Sequence, residues 1–205
     1  MLAKRLFAIC LIPYVLWLVL FYRYHFVDGA NLFIHEAGHM VFLPLGQTLH
    51  IIGGTFWQLA FPAIVAGYFA WRRQYYEAAA GLLWLGESLM YTAVYLGDAM
   101  AMALPRVGGP IHDWNWLLYR LGLLSHCETI AWLLHGFASL LVLLSVVYMV
   151  LNSFDLHFEE KAKGISYIGS GVHGFEFYRM IFIVLSLRFF HITRLILTAL
   201  GAKCK

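Results

Sequence analysis

Two histidines four residues apart, with a glutamate directly after the first, give this sequence its clearest chemical signal. They are His35, Glu36 and His39 in the run His-Glu-Ala-Gly-His. Residues four apart share one face of a helix, so both imidazoles can bind one zinc ion. The glutamate beside them can take a proton from a water that the metal activates. The pattern predicts metal-assisted hydrolysis, and the competing interpretation is two buried structural histidines beside a surface carboxylate.

The composition indicates that the elements positioning these residues lie in a membrane. Apolar residues make up 62% of the 205 residues and charged residues only 12%, whereas soluble domains contain about 25% charged residues. At roughly 20 residues per span, the chain has room for about four to six transmembrane helices. We therefore predict an all-α, polytopic integral membrane protein. The net charge of +3 is spread over several loops, which argues against nucleic-acid binding.

Apolar runs, glycines and prolines divide the chain into elements. Residues 1–151 form a predicted membrane-embedded, metallohydrolase-like domain, and residues 152–205 a polar loop followed by a C-terminal interfacial or membrane helix. The helix with the zinc motif starts at Asp28 or Asn31 and ends before Gly46. An irregular backbone is expected over residues 46–56. The other predicted helices cover residues 6–22, 56–71, 76–104 and 130–151, with a short helix ending near residue 124.

The basic residues favour a re-entrant position for the zinc motif. If residues 31–54 enter and leave the membrane on one side, all the basic clusters fall on one side, as the positive-inside rule requires. A full crossing would separate them. The clusters are Lys4 with Arg5, Arg72 with Arg73, and Lys161 with Lys163.

A catalytic zinc needs a third protein ligand and one open position. Asp98 is the favoured third ligand, because a lone carboxylate in an apolar span needs a compensating partner. In the re-entrant topology, helical rise places His39 about 12 Å and Asp98 about 9 Å from the same membrane face. The alternative for Asp98 is a carboxylate near a helix end, hydrated through the adjacent loop.

Three further polar residues are candidates for the same site. His112 is an alternative third ligand or an oxyanion donor, and Asp113 is an alternative ligand or a partner that orients an imidazole. Asp113 is equally well explained as the N-cap of the helix that follows it. Gln58 is a candidate for binding an extended substrate backbone, or else satisfies the kink at Pro62. Glu87 is expected to pair with another polar side chain between helices.

With the zinc motif in an apolar helix, a glycine-containing patch after it and Asp98 in a later span, residues 30–125 resemble the site-2-protease class of intramembrane zinc metallopeptidases. The resemblance implies zinc on His35, His39 and Asp98, with Glu36 as the general base. It also implies a membrane-protein or peptide substrate. The family's usual Asn-Pro-Asp-Gly is replaced by Tyr-Leu-Gly-Asp-Ala at residues 95–99, and no PDZ-like insertion is present.

The predicted function is therefore a zinc-dependent metallopeptidase that cleaves a peptide bond in or near the bilayer. Two other functions remain open from the residues alone. One is a zinc-dependent lipid amidase or other membrane hydrolase, which needs the same activated water. The other is a non-enzymatic metal-binding or transport protein, in which Glu36 would have no chemical role.

Overall fold

The computed structural model describes residues 2–105, 107 and 111–154. Across these residues the chain is all-helical and contains no strand, which confirms the predicted all-α class. Two short 3-10 turns, Leu43–Leu45 and Leu124–His126, precede α3 and α6. From residue 155 onward the chain, with the predicted polar loop and C-terminal helix, lies outside the described residues. The helices are α1 Leu2–Phe21, α2 Phe26–Phe42, α3 Gln47–Trp71, α4 Tyr75–Gly97, α5 Asp113–Arg120 and α6 Cys127–Ser153.

Among the described residues, three helical segments are long and apolar enough to cross a membrane: α1, α3 and residues 124–153, which contain α6. Large apolar side chains are exposed on each of them, including Leu20, Ile64 and Trp132. Soluble proteins rarely expose apolar surface of this extent, whereas lipid-facing helices require it. The structure therefore supports the predicted membrane location.

Helix α4 lies at the centre of the bundle, packed against α6 on one side and α3 on the other. Two of its glycines permit close approach. A Cβ on Gly81 would lie 2.9 Å from the Ala66 backbone, and one on Gly86 would lie 2.6 Å from Cγ1 of Val142. Small residues at such crossings are typical of membrane helix packing. Because α4 is surrounded by protein, its polar side chains face other helices and not lipid.

Contacts between helix termini define one end of the bundle. Nζ of Lys4 lies 2.6 Å from Oε1 of Glu77, and Nε of Arg5 donates a hydrogen bond to the backbone oxygen of Ser153 at 2.9 Å. The start of α1, the start of α4 and the end of α6 therefore lie together. Residues 72–74, which join α3 to α4, lie at the same end. We call this end, which carries Lys4, Arg5, Arg72 and Arg73, the basic end.

Helix α2 begins about halfway along the bundle. Nε2 of its N-cap residue, His25, lies 2.7 Å from the Tyr14 hydroxyl and 3.8 Å from Oε1 of Glu87. Tyr14 lies ten residues after Lys4, and Glu87 ten residues after Glu77, which is about 15 Å of helical rise in each case. Residues 22–25 thus bring the chain back from the end of α1 to the middle of the bundle. From there α2 runs away from the basic end.

The start of α2 differs slightly from the prediction. Asp28 and Asn31 were expected as N-caps, but the N-cap is His25. Asp28 lies in the first turn, where its carboxylate accepts a hydrogen bond from the His25 backbone N–H at 2.7 Å. An acidic residue in the first turn satisfies a free N–H and complements the helix dipole.

The predicted irregular stretch at residues 46–56 is wrong. Gly46 adopts a φ of +93° and ends the turn, and residues from Gln47 onward are regular helix. Gly53 serves helix packing, since a Cβ there would lie 2.7 Å from Cβ of Phe42. The glycines of this region therefore mark a close approach of α2 and α3.

The predicted end of the fourth long helix is also wrong. Helix α4 stops at Gly97 and does not continue to Leu104. The Asp98 carboxylate accepts hydrogen bonds from the backbone N–H groups of Ala103 at 2.9 Å and Leu104 at 3.0 Å. A carboxylate that accepts hydrogen bonds from free backbone N–H groups stabilises a turn, and this turn replaces further helix.

Candidate metal centre

The side chains of His35, His39 and Asp113 meet at one point. Nε2 of His35 lies 3.0 Å from Nε2 of His39 and 3.0 Å from Oδ2 of Asp113, and Nε2 of His39 lies 3.2 Å from that same oxygen. Nitrogen and oxygen ligands of a tetrahedral zinc, each about 2.1 Å from the ion, lie roughly 3.4 Å apart. The three atoms therefore need only a small outward movement to hold a zinc ion.

A second hydrogen bond on each imidazole determines which nitrogen faces this point. Nδ1 of His35 donates to Oε1 of Gln58 at 3.0 Å, and Nδ1 of His39 donates to the backbone oxygen of His50 at 2.7 Å. Because carbonyl oxygens only accept, Nδ1 carries a proton in both rings, and Nε2 of a neutral ring presents its lone pair. The three converging atoms are then all acceptors. A bound cation satisfies this arrangement, so the donor set fits zinc.

Gln58 is held by α4 in the orientation that this role requires. Its amide nitrogen donates to the backbone oxygen and Oγ of Ser88, at 3.2 and 3.1 Å, and to Oγ1 of Thr92 at 3.1 Å. These three contacts direct Oε1 toward His35, and Gln58 is only 2% exposed. The structure thus places this candidate substrate-binding residue behind His35, where it orients the imidazole.

The carbonyl that Pro62 leaves without a helical hydrogen bond finds its partner on another helix. Proline lacks an N–H, so the backbone carbonyl of Gln58, four residues earlier, has no partner within the helix. Oγ of Ser88 lies 3.5 Å from that carbonyl oxygen and donates to it. Ser88 of α4 therefore contacts both the side chain and the backbone of Gln58.

Glycines keep the space beside the two histidines open. A Cβ on Gly54 would lie 2.5 Å from Nε2 of His39 and 2.6 Å from Nε2 of His35. A Cβ on Gly38 would lie 2.4 Å from the backbone oxygen of Gly53. Only residues without a Cβ allow α2 and α3 to approach this closely while leaving room for an ion.

Asp98, the predicted third ligand, lies elsewhere. Its oxygens accept the two turn N–H groups described above, and its Oδ2 lies 3.6 Å from Nε2 of His112. The early end of α4 turns the Asp98 carboxylate to this loop, and the loop then returns Asp113 to the histidines. The structure therefore brings Asp113, and not Asp98, to the two histidines.

His112 and Asp113 are attached to α4 through several contacts. Nδ1 of His112 accepts a hydrogen bond from the backbone N–H of Asn115 at 3.3 Å, and its ring stacks on Tyr95 at 4.2 Å between centroids. The Asp113 N–H donates to the Tyr95 hydroxyl at 3.3 Å, and Nδ2 of Asn115 donates to the Ala99 backbone oxygen at 2.8 Å. His112, and not Asp113, is the N-cap of α5. His112 thus supports the position of Asp113.

The charge of the centre follows from these contacts. Burial raises the pKa of the Asp113 carboxyl, but the hydrogen bonds and charges of His35 and His39 more than offset it, so the pKa falls below its usual value. Burial lowers the pKa of His112, although Asp98 and Asp113 act in the opposite direction. Asp113 is therefore a carboxylate and His112 a neutral imidazole near neutral pH. A carboxylate and two imidazoles are a typical ligand set for a divalent cation.

A cavity of about 590 Å³ lies over the centre. Half-buried Glu36 lines it together with the three converging residues. This volume is within the range of small-molecule binding sites. The general base proposed from the sequence thus faces the same space as the ligands. The remaining lining is largely aromatic and aliphatic, including Tyr91, Val94, Leu104 and Ile111.

His50 is a contributor that the sequence analysis missed. Its carbonyl accepts the Nδ1 proton of His39, and its own Nδ1 lies 2.9 Å from the His39 backbone oxygen. Any residue at position 50 could supply the backbone carbonyl, so its role cannot be read from the residue type. The eleven-residue separation of the two histidines becomes informative only when α2 and α3 are known to be paired.

No protein-family model, curated protein or solved structure matches this chain.

Proposed function

We propose that this protein is an integral, multi-pass membrane hydrolase that uses zinc to cleave amide bonds, as a metallopeptidase acting on peptides or membrane proteins. One observation carries the proposal. Three ligand atoms converge at 3.0–3.2 Å, and the hydrogen bonds behind both imidazoles leave only lone pairs facing inward. Glu36 on the cavity wall supplies the group that distinguishes a hydrolase from a structural zinc site.

The residues of the chain would divide the chemistry among them. His35, His39 and Asp113 would hold the metal, and Gln58 and the His50 carbonyl would keep the imidazoles in place. Bound zinc would polarise the scissile carbonyl and lower the pKa of water. Glu36 would accept the proton of the attacking water and return it to the leaving amine. The largely apolar cavity wall would orient the substrate and exclude bulk water.

We further propose that α1, α3, α4 and α6 cross the membrane and that α2 is re-entrant. The start of α2 near the middle of the bundle supports this topology. Residues 22–25 would then lead from the end of α1 back into the membrane. Four crossings place both ends of the 2–154 bundle on one side, together with Arg72 and Arg73. The positive-inside rule assigns this basic end to the cytoplasm. The metal centre then opens toward the opposite side.

A lipid amidase is the second candidate, and two observations favour it. The cavity wall is mostly apolar, as a pocket for an acyl chain would be. In addition, strand addition is a common mode of peptide recognition, and the described residues contain no strand whose edge could pair with an extended peptide. A lipid substrate would need the same metal centre and the same Glu36.

Zinc content and hydrolysis, measured on the full-length protein in detergent, test the proposal. His35→Ala and Asp113→Asn should lose the zinc ion of this centre, whereas Glu36→Gln should keep it and lose hydrolysis. Glu128→Gln, which changes an exposed carboxylate, is the matched control and should behave as wild type. A zinc content equal to that of wild type in both ligand variants would overturn the metal centre.

Two probes distinguish the candidate substrates. Synthetic single-span peptides would be followed by mass spectrometry, and a long-chain N-acyl amide with a fluorescent amine as leaving group would be followed by fluorescence. Cleavage of the peptides supports the metallopeptidase, and cleavage of the acyl amide alone supports the amidase. If Glu36→Gln changes neither, while zinc is bound, the protein is a metal-binding or transport protein.

A further inference from the structure

A second polar cluster lies at the start of α2, in residues that the proposed hydrolase chemistry does not use. His25, Asp28 and Glu87 each offer one ligand atom, and these atoms lie within 4.8 Å of one another. Nδ1 of His25 is 2.7 Å from Oδ2 of Asp28, and its Nε2 is 3.8 Å from Oε1 of Glu87. Asp28 is 0% and Glu87 1% exposed. We call these three residues the inner cluster.

The inner cluster is remote from the zinc motif. His25 lies ten residues before His35 along the chain, which is about 15 Å of helical rise. It also lies halfway along the bundle, so in the proposed topology both carboxylates are near the bilayer centre, where charge is most costly. In the part of the chain that the structure describes, neither carboxylate forms an ion pair with Lys or Arg. Their charge therefore requires a cation or protons.

Neighbouring donors satisfy three of the four carboxylate oxygens. Asp28 accepts from the Tyr22 hydroxyl and, at 2.7 Å, from the His25 backbone N–H. Oε2 of Glu87 accepts from Nδ2 of Asn31 at 2.7 Å, which is the interhelical polar pairing expected for Glu87. The fourth oxygen, Oε1 of Glu87, is buried and has no hydrogen-bond partner. An unpartnered buried carboxylate oxygen beside an imidazole is a vacant ligand atom.

The His25 imidazole is oriented to act as a ligand. Nδ1 lies 2.7 Å from Oδ2 of Asp28 and 3.1 Å from the backbone oxygen of Arg23, so it carries the proton. Nε2 then presents its lone pair on the side of Glu87, where it accepts from the Tyr14 hydroxyl at 2.7 Å. A metal on Nε2 would replace only that one hydrogen bond. The hydrogen-bonded Nδ1 is an arrangement that His25 shares with His35 and His39.

We propose that His25, Asp28 and Glu87 bind a second divalent metal ion of the kind that takes mixed nitrogen and oxygen ligands, such as Zn²⁺ or Mn²⁺. Ligands of one such ion lie roughly 3.4 Å apart, so both carboxylate side chains rotate to complete the site, Glu87 toward Nε2 and Asp28 away from Nδ1. The ion neutralises the two carboxylates and joins the start of α2 to α4. It thereby holds in place the helix that carries the zinc motif. This inference stands independently of the proposed hydrolase activity.

Metal content per chain, measured on the full-length protein in detergent with Zn²⁺ supplied, tests the inference. Wild type should bind about two ions, and Glu87→Gln or His25→Asn about one. Glu87→Gln retains an oxygen for Asn31, and Asn is a good N-cap at residue 25, so both variants should fold. Glu77→Gln, the matched change at the other end of α4, should keep two. His35→Ala should lose the other ion, so the two sites are separable.

Two results would overturn the inference. Metal content unchanged in both Glu87→Gln and His25→Asn would show that the inner cluster holds protons, and Glu87→Gln would then be as heat-stable as wild type. A Zn²⁺ titration of metal-depleted wild type, which needs no variant, should show two binding steps, and a single step contradicts a second ion. Loss of metal on Glu87→Gln without loss on His35→Ala would support the inner cluster and refute the hydrolase.

Discussion

At the residue scale, the main finding is how the ring nitrogens of the two motif histidines are assigned. The motif places two imidazoles on one helix face, but it does not say which nitrogen points inward. Gln58 and the His50 carbonyl make that choice by accepting the Nδ1 protons. Such partners of a metal ligand commonly change metal affinity by about 10- to 100-fold. The residues behind the histidines are therefore part of the site.

Replacing Gln58 with Leu should weaken zinc binding. The substitution removes the acceptor for Nδ1 of His35, so the ring loses both its orientation and its preferred tautomer. We expect a fall in zinc affinity of about 10- to 100-fold, measured by competition with a chromophoric chelator. Gln47→Leu, at an exposed position on the same helix, is the control. Equal affinities in the two variants would show that Gln58 does not orient His35.

At the element scale, the contact between α2 and α3 decides whether an ion can fit. The two helices meet at Gly38, Gly53 and Gly54, and Gly54 faces both ligand nitrogens. The hydrogen bonds between His39 and His50 hold the same pair of helices together nearer the turn. The ligand geometry is thus a consequence of the closeness of the two helices.

Gly54→Ala should abolish zinc binding at the two motif histidines, because the new methyl group would lie 2.5 Å from Nε2 of His39. Gly67→Ala is the matched control on the same helix, since a Cβ there meets nothing within 4 Å. The control should keep its zinc and gain up to about 1 kcal/mol of stability, as Ala favours a helix over Gly. Elemental analysis and thermal unfolding measure both effects. A zinc content equal to that of wild type in Gly54→Ala would contradict the location of the ion.

The loop between α4 and α5 is the second element on which the site depends, and Asp98 closes it. Asp98→Asn leaves one acceptor oxygen in place of two and removes the charge near His112. We expect a loss of about 1 kcal/mol in unfolding free energy and roughly tenfold weaker zinc binding with unchanged stoichiometry. Loss of one zinc ion per chain in Asp98→Asn, with the zinc content of wild type in Asp113→Asn, would restore Asp98 as the ligand.

At the scale of the whole molecule, the bundle has two chemically different ends. The basic end gathers the start of α1, the end of α3, the start of α4 and the end of α6, as the Lys4–Glu77 and Arg5–Ser153 contacts show. The metal centre and the cavity lie toward the other end. This asymmetry is what a membrane protein requires if its site opens on one side only.

Thiol labelling in oriented vesicles should show this asymmetry. Cysteines that replace Lys4 and Arg73 should react with a membrane-impermeant maleimide from one side, and a cysteine at exposed Ile111, beside the metal centre, from the other. The background is a variant without the three native cysteines. Labelling of Lys4 and Arg73 positions from opposite sides would refute the re-entrant topology.

Removal of metal should destabilise the whole molecule, because a ligand that binds only the folded state stabilises it by mass action. At a hundredfold excess of zinc over the dissociation constant, this stabilisation is about 2.7 kcal/mol. Chelation should therefore lower the Tm and added zinc should restore it. In a Glu87→Gln background, adding His35→Ala should eliminate the response. A response that persists in the double variant would place zinc at neither site.

The sequence alone suffices to predict the helical class and the membrane location, and to identify the two motif histidines with Glu36. These are local properties, because periodicity, apolar content and a spacing of four residues are expressed within one helix. Only the tertiary structure decided that Asp113 and not Asp98 joins the histidines, and that Gln58 and His50 support them. These contacts depend on where α4 ends and on how closely α2 and α3 approach. Both are set by interactions between residues distant in the chain, which no local pattern records.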